Sequence, residues 1–199
     1  MTAIFKLEYY LCILIKIVLL NIPYKFVISA GILLSHLTKI ILPKRRRIIL
    51  ENLTKTFKEM NYSKIISIAE NTWKNLGLTL TEFIRIEKLN KINYSKYVEF
   101  ENEEYLKDTL KYGYGVLLLT AHLGNWELMG AALSLRGYKI MVITRQMKNT
   151  YVNTEINKIR ESSGEKVVDE HKAIRESLKW LKSNGCVGVL IDQHISEGR

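Results

Sequence analysis

From residue 115 onwards, short apolar runs alternate with stretches whose apolar residues recur at helical spacing. The first run, Gly-Val-Leu-Leu-Leu-Thr at 115–120, is continuous and follows a glycine-rich turn, which is typical of a strand buried on both faces. The patterns predict further strands at 139–144, 166–168 and 186–191, and helices at 125–135, 149–162 and 170–183. Alternating strands and helices favour right-handed crossovers, so the sequence predicts an α/β fold with a mainly parallel sheet flanked by helices.

The part of the chain before residue 115 is helical in pattern. Amphipathic helices are predicted at 47–59, 63–85 and 102–111, with Asn102 as a candidate N-cap of the third. A chain of 199 residues is long enough for one packed domain, but too short for two domains that each have a sizeable hydrophobic core. We therefore expect a helical membrane-associating segment at 1–42 and an α/β domain at 43–199.

Positive charge is concentrated at the N-terminus. Residues 1–50 carry +7 of the chain's net +10, interleaved with apolar stretches. A spanning helix needs about 18 apolar residues with few charges, and Lys16, Pro23 and Lys25 interrupt every such window. The pattern favours an interfacial segment with the basic cluster 44–47 against anionic headgroups, over a true span or a soluble packed hairpin. Nucleic acid binding is disfavoured, because the basic residues alternate with Leu and Ile and not with stacking aromatics.

The two cysteines, Cys12 and Cys186, lie far apart in sequence and form no Cys-x-x-Cys pair. The sequence therefore predicts neither a disulfide framework nor a zinc site, which fits a reducing compartment. It also contains no Gly-x-Ser-x-Gly motif, so a covalent acyl-enzyme is not indicated.

His122 lies where a parallel α/β sheet gathers its ligands. Such ligands bind at the carboxyl ends of the strands, here residues 121–127, 144–146 and 192–194. His122 follows the first predicted strand, and Glu127 lies five residues later, in the first turn of the next helix, with Asn125 as its N-cap. We expect the loop between them to bring the two side chains together.

A second pair, His171 and Glu176, has the same spacing but lies within one predicted helix. Five helical residues turn through about 500°, which leaves the two side chains about 140° apart. This pair is therefore not expected to be in contact. A His held by a carboxylate, as expected of His122 and Glu127, is a general base, although a structural His at a strand end is the alternative.

The stretch 118–127, Leu-Leu-Thr-Ala-His-Leu-Gly-Asn-Trp-Glu, resembles the signature of the late acyltransferases of lipid A biosynthesis, the lauroyl and myristoyl transferases. The resemblance extends from about residue 40 to residue 194. Supporting matches are the basic helix 45–57, the segment 73–77 with Glu82 and Phe83, and further positions in family order: Arg145, Asn149, Arg160, Gly164, Gly188, Asp192 and Gln193.

The family implies transfer of an acyl chain from acyl carrier protein to a hydroxyl of a lipid A precursor, at the cytoplasmic face of the inner membrane. It implies no metal or cofactor beyond the phosphopantetheine of the carrier. His122 and Glu127 would be catalytic. Arg160 would hold a substrate phosphate or the thioester oxyanion.

Three further candidates for substrate binding are Asn125 and two residues at strand ends, Arg145 and Asp192. The structural alternatives are that Arg145 is an ordinary surface arginine and that Asp192 only forms a hydrogen bond with a neighbouring loop.

Other functions stay open at this level. A glycerophosphate or lysophospholipid acyltransferase resembles the same plan, but usually has Asp where Glu127 stands. A transferase for another glycolipid is a second alternative. Family members continue with further sheet and helices beyond the position of Arg199, which predicts an incomplete chain, and an inactive membrane-bound fragment is therefore the third alternative.

Overall fold

The computed structural model describes residues 3–193, as eight α-helices, three short 3-10 helices and one four-stranded sheet. The elements in chain order are α1 (Ala3–Asn21), α2 (Tyr24–Ile41), α3 (Pro43–Thr56), α4 (Tyr62–Ile84), α5 (Glu103–Leu110), β1 (Val116–Thr120), α6 (Trp126–Arg136), β2 (Ile140–Thr144), α7 (Thr150–Glu161), β3 (Lys166–Asp169), α8 (Ala173–Lys182) and β4 (Cys186–Leu190). The 3-10 helices are Arg85–Lys88, Tyr94–Lys96 and Glu170–Lys172. The predicted α/β fold with flanking helices is confirmed.

All strand pairs in the sheet are parallel, and the strand order is β1-β4-β2-β3. The last strand in sequence therefore lies between β1 and β2. Thr120 at the end of β1 is in register with Leu190 at the end of β4. The segments that follow these two strands consequently leave the sheet side by side.

The two faces of the sheet are covered by different helices. On one face, Met141 and Val187 form a buried cluster with Val168 and pack against Trp180 and Leu181 of α8. Side chains of the opposite face, such as Leu118, line a cavity together with residues of α6 and α7. Because successive strand residues point to opposite faces, the apolar runs serve both layers.

The prediction that the strand at 115–120 is buried on both faces is wrong. Within β1, Leu117 is 54% exposed and Leu119 is 65% exposed. The reason is position, because β1 is an edge strand and α8 packs on β2, β3 and β4. A continuous apolar run does not reveal whether the strand it forms is central.

Asn102 precedes α5, but it does not cap the helix with its side chain. Its backbone is left-handed, with φ of 56°, and no side-chain hydrogen bond is formed there. Glu103 anchors the helix instead, because both of its carboxylate oxygens accept hydrogen bonds from Arg136 at 3.0 Å. This guanidinium holds the pKa of Glu103 well below its ordinary value, with Lys107 and Tyr138 contributing.

The described residues divide into two compact units, one formed by residues 17–84 and the other by 3–16 together with 85–193. Residues 3–16 of α1 thus belong to the α/β unit. The side-chain amide of Asn149 donates hydrogen bonds to the Phe5 carbonyl at 2.9 Å and to the Glu8 carboxylate at 2.8 Å. The expected division at residue 42 concerns membrane attachment, and it stays a prediction.

In the helical unit, α2 and α4 pack closely where two glycines meet. A Cβ on Gly77 would overlap the carbonyl oxygen of Gly31, and a Cβ on Gly31 would lie 2.9 Å from the Thr81 hydroxyl oxygen. Ile65, Ala69 and Trp73 of α4 are buried in the same unit.

Apolar side chains of the N-terminal helices are widely exposed. On α1, Leu7 is 70% exposed and Leu14 is 59% exposed. Among the described helices, α2 alone has the length and apolar composition to cross a membrane, with mean hydropathy 1.3 and 17% of its residues buried. The expectation that Lys16, Pro23 and Lys25 interrupt every such window is therefore wrong. Length and composition do not distinguish a span from an interfacial helix, so interfacial attachment stays a prediction.

Candidate active site

His122 leaves the carboxyl end of β1 and is held by an aspartate that leaves the carboxyl end of β4. Its ring Nδ1 lies 2.9 Å from Oδ1 of Asp192, and its backbone N–H donates to Oδ2 of the same carboxylate at 3.1 Å. One carboxylate therefore fixes both the backbone and the ring of this histidine. The parallel register of Thr120 with Leu190 produces this proximity.

The ionised carboxylate of Asp192 accepts hydrogen bonds only, so Nδ1 of His122 must carry the hydrogen. In the neutral imidazole the other ring nitrogen, Nε2, then presents a lone pair, which is the form a general base requires. The hydrogen bond from His122 also lowers the pKa of Asp192 below its ordinary value. The aspartate consequently stays ionised across the neutral range.

The edge of the Trp126 indole contacts the His122 ring, with centroids 4.8 Å apart and planes at 66°. Trp126 begins α6, and Asn125 caps that helix by accepting a hydrogen bond from the Leu128 N–H at 3.0 Å. The cap predicted at Asn125 is thus confirmed, whereas a role in substrate binding stays a prediction. The cap and the ring contact together fix the loop that carries His122.

Glu127, in the first turn of α6, forms a two-pronged ion pair with Arg160 near the end of α7. The Arg160 Nε and Nη2 atoms donate to the two carboxylate oxygens at 2.9 and 2.6 Å. Both side chains are less than one fifth exposed. A bidentate pair of this kind is directional as well as strong, so each partner holds the other in place.

The hydrogen-bond partner of His122 differs from the one that the sequence suggested. We expected Glu127 to orient the ring, but in the structure Asp192 does so and Glu127 binds Arg160. The physical reason is the strand order, which places the end of β4 directly beside the end of β1. Both carboxylates nevertheless lie near one site, because His122 and Glu127 line the same cavity.

This cavity has a volume of about 360 Å³ and lies between one face of the sheet and helices α6 and α7. Its walls are largely apolar, with Leu118, Val142 and Leu190 on the sheet and Met129 and Ile156 on the helices. A volume of this order falls within the usual ~300–1,000 Å³ range of ligand pockets. The ionisable side chains that line the cavity are His122, Glu127, Arg145, Arg160 and Glu165.

Arg145 follows β2 and also lines the cavity, as its place at a strand end suggested. Its side chain is 63% exposed, and its Nε lies 3.5 Å from the carboxylate of Glu170. A long, exposed ion pair holds the guanidinium weakly. Arg145 is therefore available to an anionic group, and its role in substrate binding stays a prediction.

The second His/Glu pair behaves as expected. Glu176 accepts hydrogen bonds from Lys166 at 3.0 Å and from Lys179 at 3.2 Å. His171 belongs to the preceding 3-10 helix and takes part through its backbone N–H, which donates to Asp169. Among the described residues no ion pair joins Glu176 to His171, so the two pairs of identical spacing differ in geometry.

One residue of the cavity, Glu165, was not predicted from the sequence. It is 6% exposed and precedes β3, directly after Gly164. Acids are common before strands, and nothing in the sequence marks this one as buried. No cluster of three or more His, Cys, Asp or Glu side chains suited to a metal occurs within residues 3–193.

The sequence profile of the family described as bacterial lipid A biosynthesis acyltransferase matches residues 2–199. The chain belongs to this family. Among curated proteins, none matches the chain. Family membership confirms the resemblance seen in residues 118–127.

As a member of the lipid A biosynthesis acyltransferases, the chain has an acyltransferase activity in that biosynthesis. The family is generally membrane-associated, which agrees with the exposed apolar side chains of α1 and α2. In this acyltransferase, His122 lines a cavity whose walls are largely apolar.

Proposed function

We propose that this acyltransferase moves a fatty acyl chain from the thioester of acyl carrier protein to a hydroxyl of a lipid A precursor, with His122 as general base. The observation that carries the proposal is the hydrogen bond from Nδ1 of His122 to Asp192, which leaves Nε2 as a proton acceptor at an apolar cavity. A hydroxyl is a poor nucleophile until a base removes its proton. His122 supplies that base.

In the proposed reaction the acceptor oxygen attacks the thioester carbonyl carbon while Nε2 of His122 takes the hydroxyl proton. A C–O bond forms, and the C–S bond to the carrier breaks. The proton then passes from His122 to the departing thiolate, so the enzyme returns to its starting state. Asp192 stabilises the imidazolium that exists between these two proton transfers.

Glu127 and Arg160 take a supporting role in this scheme. The Arg160 guanidinium, fixed by Glu127, offers hydrogen-bond donors to the negative charge that develops on the thioester oxygen, or to a phosphate of the acceptor. Glu127 thus contributes through Arg160. The alternative is a direct hydrogen bond between Glu127 and His122 during turnover, and variants of Glu127 and Asp192 distinguish the two roles. Arg145 is the second proposed anion contact.

The apolar part of the cavity is the proposed place for the acyl chain. Leu118, Met129 and Val142 present a surface from which an alkyl chain excludes water. Burial of such a chain is favourable by about 0.8 kcal/mol for each methylene. This term favours long acyl donors over acetyl donors.

We further propose that the protein works at the cytoplasmic face of the inner membrane. The exposed apolar side chains of α1 and the basic cluster 44–47 at the start of α3 support contact with an anionic lipid surface. A membrane surface would present the lipid acceptor, and the carrier protein would arrive from the cytoplasm.

The proposal is tested with the full chain in detergent micelles or native membranes. Acyl carrier protein loaded with acyl chains of different lengths is mixed with a lipid A precursor, and the product is followed by mass spectrometry. We expect the precursor to gain one acyl group, and His122→Ala to abolish most of this gain.

Two parallel reactions test the identity of the acceptor and of the donor. One replaces the precursor by a lysophospholipid, and the other replaces the carrier by acyl coenzyme A. Transfer to the lysophospholipid alone would contradict the proposed acceptor, and transfer from coenzyme A alone would contradict the proposed donor. Equal activity of wild type and His122→Ala would contradict the proposed base.

A further inference from the structure

Glu165 is a buried carboxyl group in the cavity wall that the proposed reaction does not use. The residue is 6% exposed and lies between Gly164, whose φ is 98°, and the start of β3. A charged carboxylate in such a place is costly unless it is paired or protonated. No ion pair of Glu165 is formed among the described residues.

The contacts of Ser163 show how Glu165 is accommodated. The Ser163 hydroxyl donates to the carbonyl oxygen of Arg160 at 2.8 Å, and it lies 3.3 Å from Oε2 of Glu165. A hydroxyl has a single hydrogen. The hydroxyl therefore has two possible acceptors, the Arg160 carbonyl oxygen and the Glu165 carboxyl. Ser163 thus links Glu165 to the backbone at the end of α7.

Gly130 of α6 leaves the space that the other carboxyl oxygen occupies. A Cβ at this position would overlap Oε1 of Glu165. The charged groups that face Glu165 are Glu127 on α6 and Arg160 on α7. Two further ionisable residues, His122 and Arg145, line the same cavity.

Burial raises the pKa of Glu165 to about 8, with the negative charge of Glu127 adding to the effect and Arg160 opposing it. The surroundings therefore favour the neutral form of this carboxyl at neutral pH. The contact with Ser163 joins the carboxyl to the end of α7, which carries Arg160 of the Arg160–Glu127 pair.

We propose that Glu165 is a positioning residue of this site, which fixes the end of α7 through Ser163 and thereby holds the Arg160–Glu127 pair in place. The claim rests on the proposed function for its effect on turnover, but not for its effect on structure. Ionisation of Glu165 places a second negative charge beside Glu127 and competes for the Arg160 guanidinium. The site consequently loses its arrangement at alkaline pH.

The first experiment measures the melting temperature of the full chain in detergent from pH 5 to pH 9. The unfolded Glu165 has an ordinary pKa of 4.5 and the folded one about 8. Between these values the unfolded chain has released the proton and the folded chain retains it, so the stability contributed by the neutral carboxyl falls as pH rises and levels off above pH 8. Glu165→Gln, which is neutral throughout, should therefore gain stability over wild type across this window.

Glu161→Gln is the matched control, because it makes the same change at an exposed position on α7. Its melting curve should stay parallel to that of wild type. A parallel curve for Glu165→Gln would overturn the proposal. Infrared spectra of wild type give a second measurement that needs no variant, since the band of a buried carboxylic acid should vanish with a midpoint near pH 8.

The coupling to the ion pair is tested in a Glu127→Gln background. Removal of this neighbouring charge, together with release of Arg160, should move the midpoint of Glu165 to lower pH. An unchanged midpoint would mean that Glu165 does not sense the pair, and would contradict the positioning role. This result is independent of any acyl transfer.

The final measurement is the pH profile of kcat with an acyl donor and a lipid acceptor. Wild type should lose turnover above pH 8, whereas Glu165→Gln should lack this alkaline limb and Glu165→Ala should lose roughly 10- to 100-fold in kcat, as expected of a misplaced group. Superimposable profiles of wild type and Glu165→Gln would refute the role in turnover. If wild type transfers no acyl group at all, the proposed function is wrong. The melting and infrared measurements still test the structural role of Glu165 in that case.

Discussion

Nδ1 of His122 and Oδ1 of Asp192 lie 2.9 Å apart, although 70 positions of sequence separate the two residues. The same carboxylate accepts the backbone N–H of His122, so the histidine is fixed at two points. Glu127, five residues from His122, is engaged by Arg160 instead. The carboxylate that holds the His122 ring therefore follows a neighbouring strand, β4, and does not come from the neighbouring helix, α6.

Our first prediction separates the two carboxylates. Asp192→Asn should lower kcat by about 10²- to 10⁴-fold, the range of general-base catalysis, because the amide can present a donor to Nδ1 and favour the wrong tautomer. Glu127→Gln should act differently, because it should lower kcat by about as much as Arg160→Ala does. If Glu127→Gln lowered kcat as much as His122→Ala and Asp192→Asn had little effect, Glu127 would be the residue that orients His122, as predicted from the sequence.

His122→Ala is the second prediction. It should reduce turnover by about 10²- to 10⁴-fold, while the free energy of unfolding falls by only about 1 kcal/mol, the net worth of a lost hydrogen bond. The control is His171→Ala, at the pair of equal spacing, which should retain its activity. Losses of activity that track melting temperature in both variants would show that both histidines are structural.

The third prediction concerns Arg160, for which two roles are distinguishable by kinetics. Removal of an oxyanion donor by Arg160→Ala should lower kcat by about 10²- to 10³-fold. Removal of a phosphate contact should mainly raise the KM for the acceptor. We expect the loss in kcat, because Glu127 already neutralises part of the charge that a phosphate would bind. Arg145→Ala is the comparison, and there we expect the higher KM.

The fourth prediction tests helix packing in the unit formed by residues 17–84. Gly77→Ala would place a methyl group on the Gly31 carbonyl oxygen, which is backbone and cannot move aside. Although alanine favours a helix by about 1 kcal/mol over glycine, the clash should reverse the sign and destabilise the protein by about 1–3 kcal/mol. Gly188→Ala serves as control for stability, since its Cβ would meet no atom closer than 3.8 Å.

The fifth prediction concerns membrane attachment. If α1 and the cluster 44–47 lie at the lipid interface, high salt or alkaline washing should release part of the protein from membranes. Changing Lys44, Arg45, Arg46 and Arg47 to glutamine should weaken binding to vesicles that contain anionic lipids, and should affect neutral vesicles less. Retention under every condition short of detergent would favour a span, for which α2 is the candidate.

Much of the fold was predictable from local patterns. The strands and helices from 116 to 190 lie within a few residues of their predicted positions, because an apolar run and a helical repeat are local properties. The edge position of β1 was not predictable, since strand order is set by long-range pairing. The same limit explains the exposed Leu117 and Leu119.

The site was predictable in its parts, but not in its pairing. His122 and Asp192 were both expected at strand ends, yet only the insertion of β4 beside β1 reveals that they meet. Glu127 was paired with His122 on sequence proximity, whereas its partner, Arg160, comes from α7. Glu165 was missed altogether, because burial of an acid is a property of the packed chain.

The insertion of β4 between β1 and β2 has a consequence for the order of events during synthesis. The ribosome delivers His122 well before Asp192, and neither β1 nor β2 gains its central neighbour until β4 has emerged. Contacts across such a separation form late, because closure of a long loop must precede them. Until β4 pairs with β1, His122 therefore lacks the carboxylate that holds its ring in the finished fold.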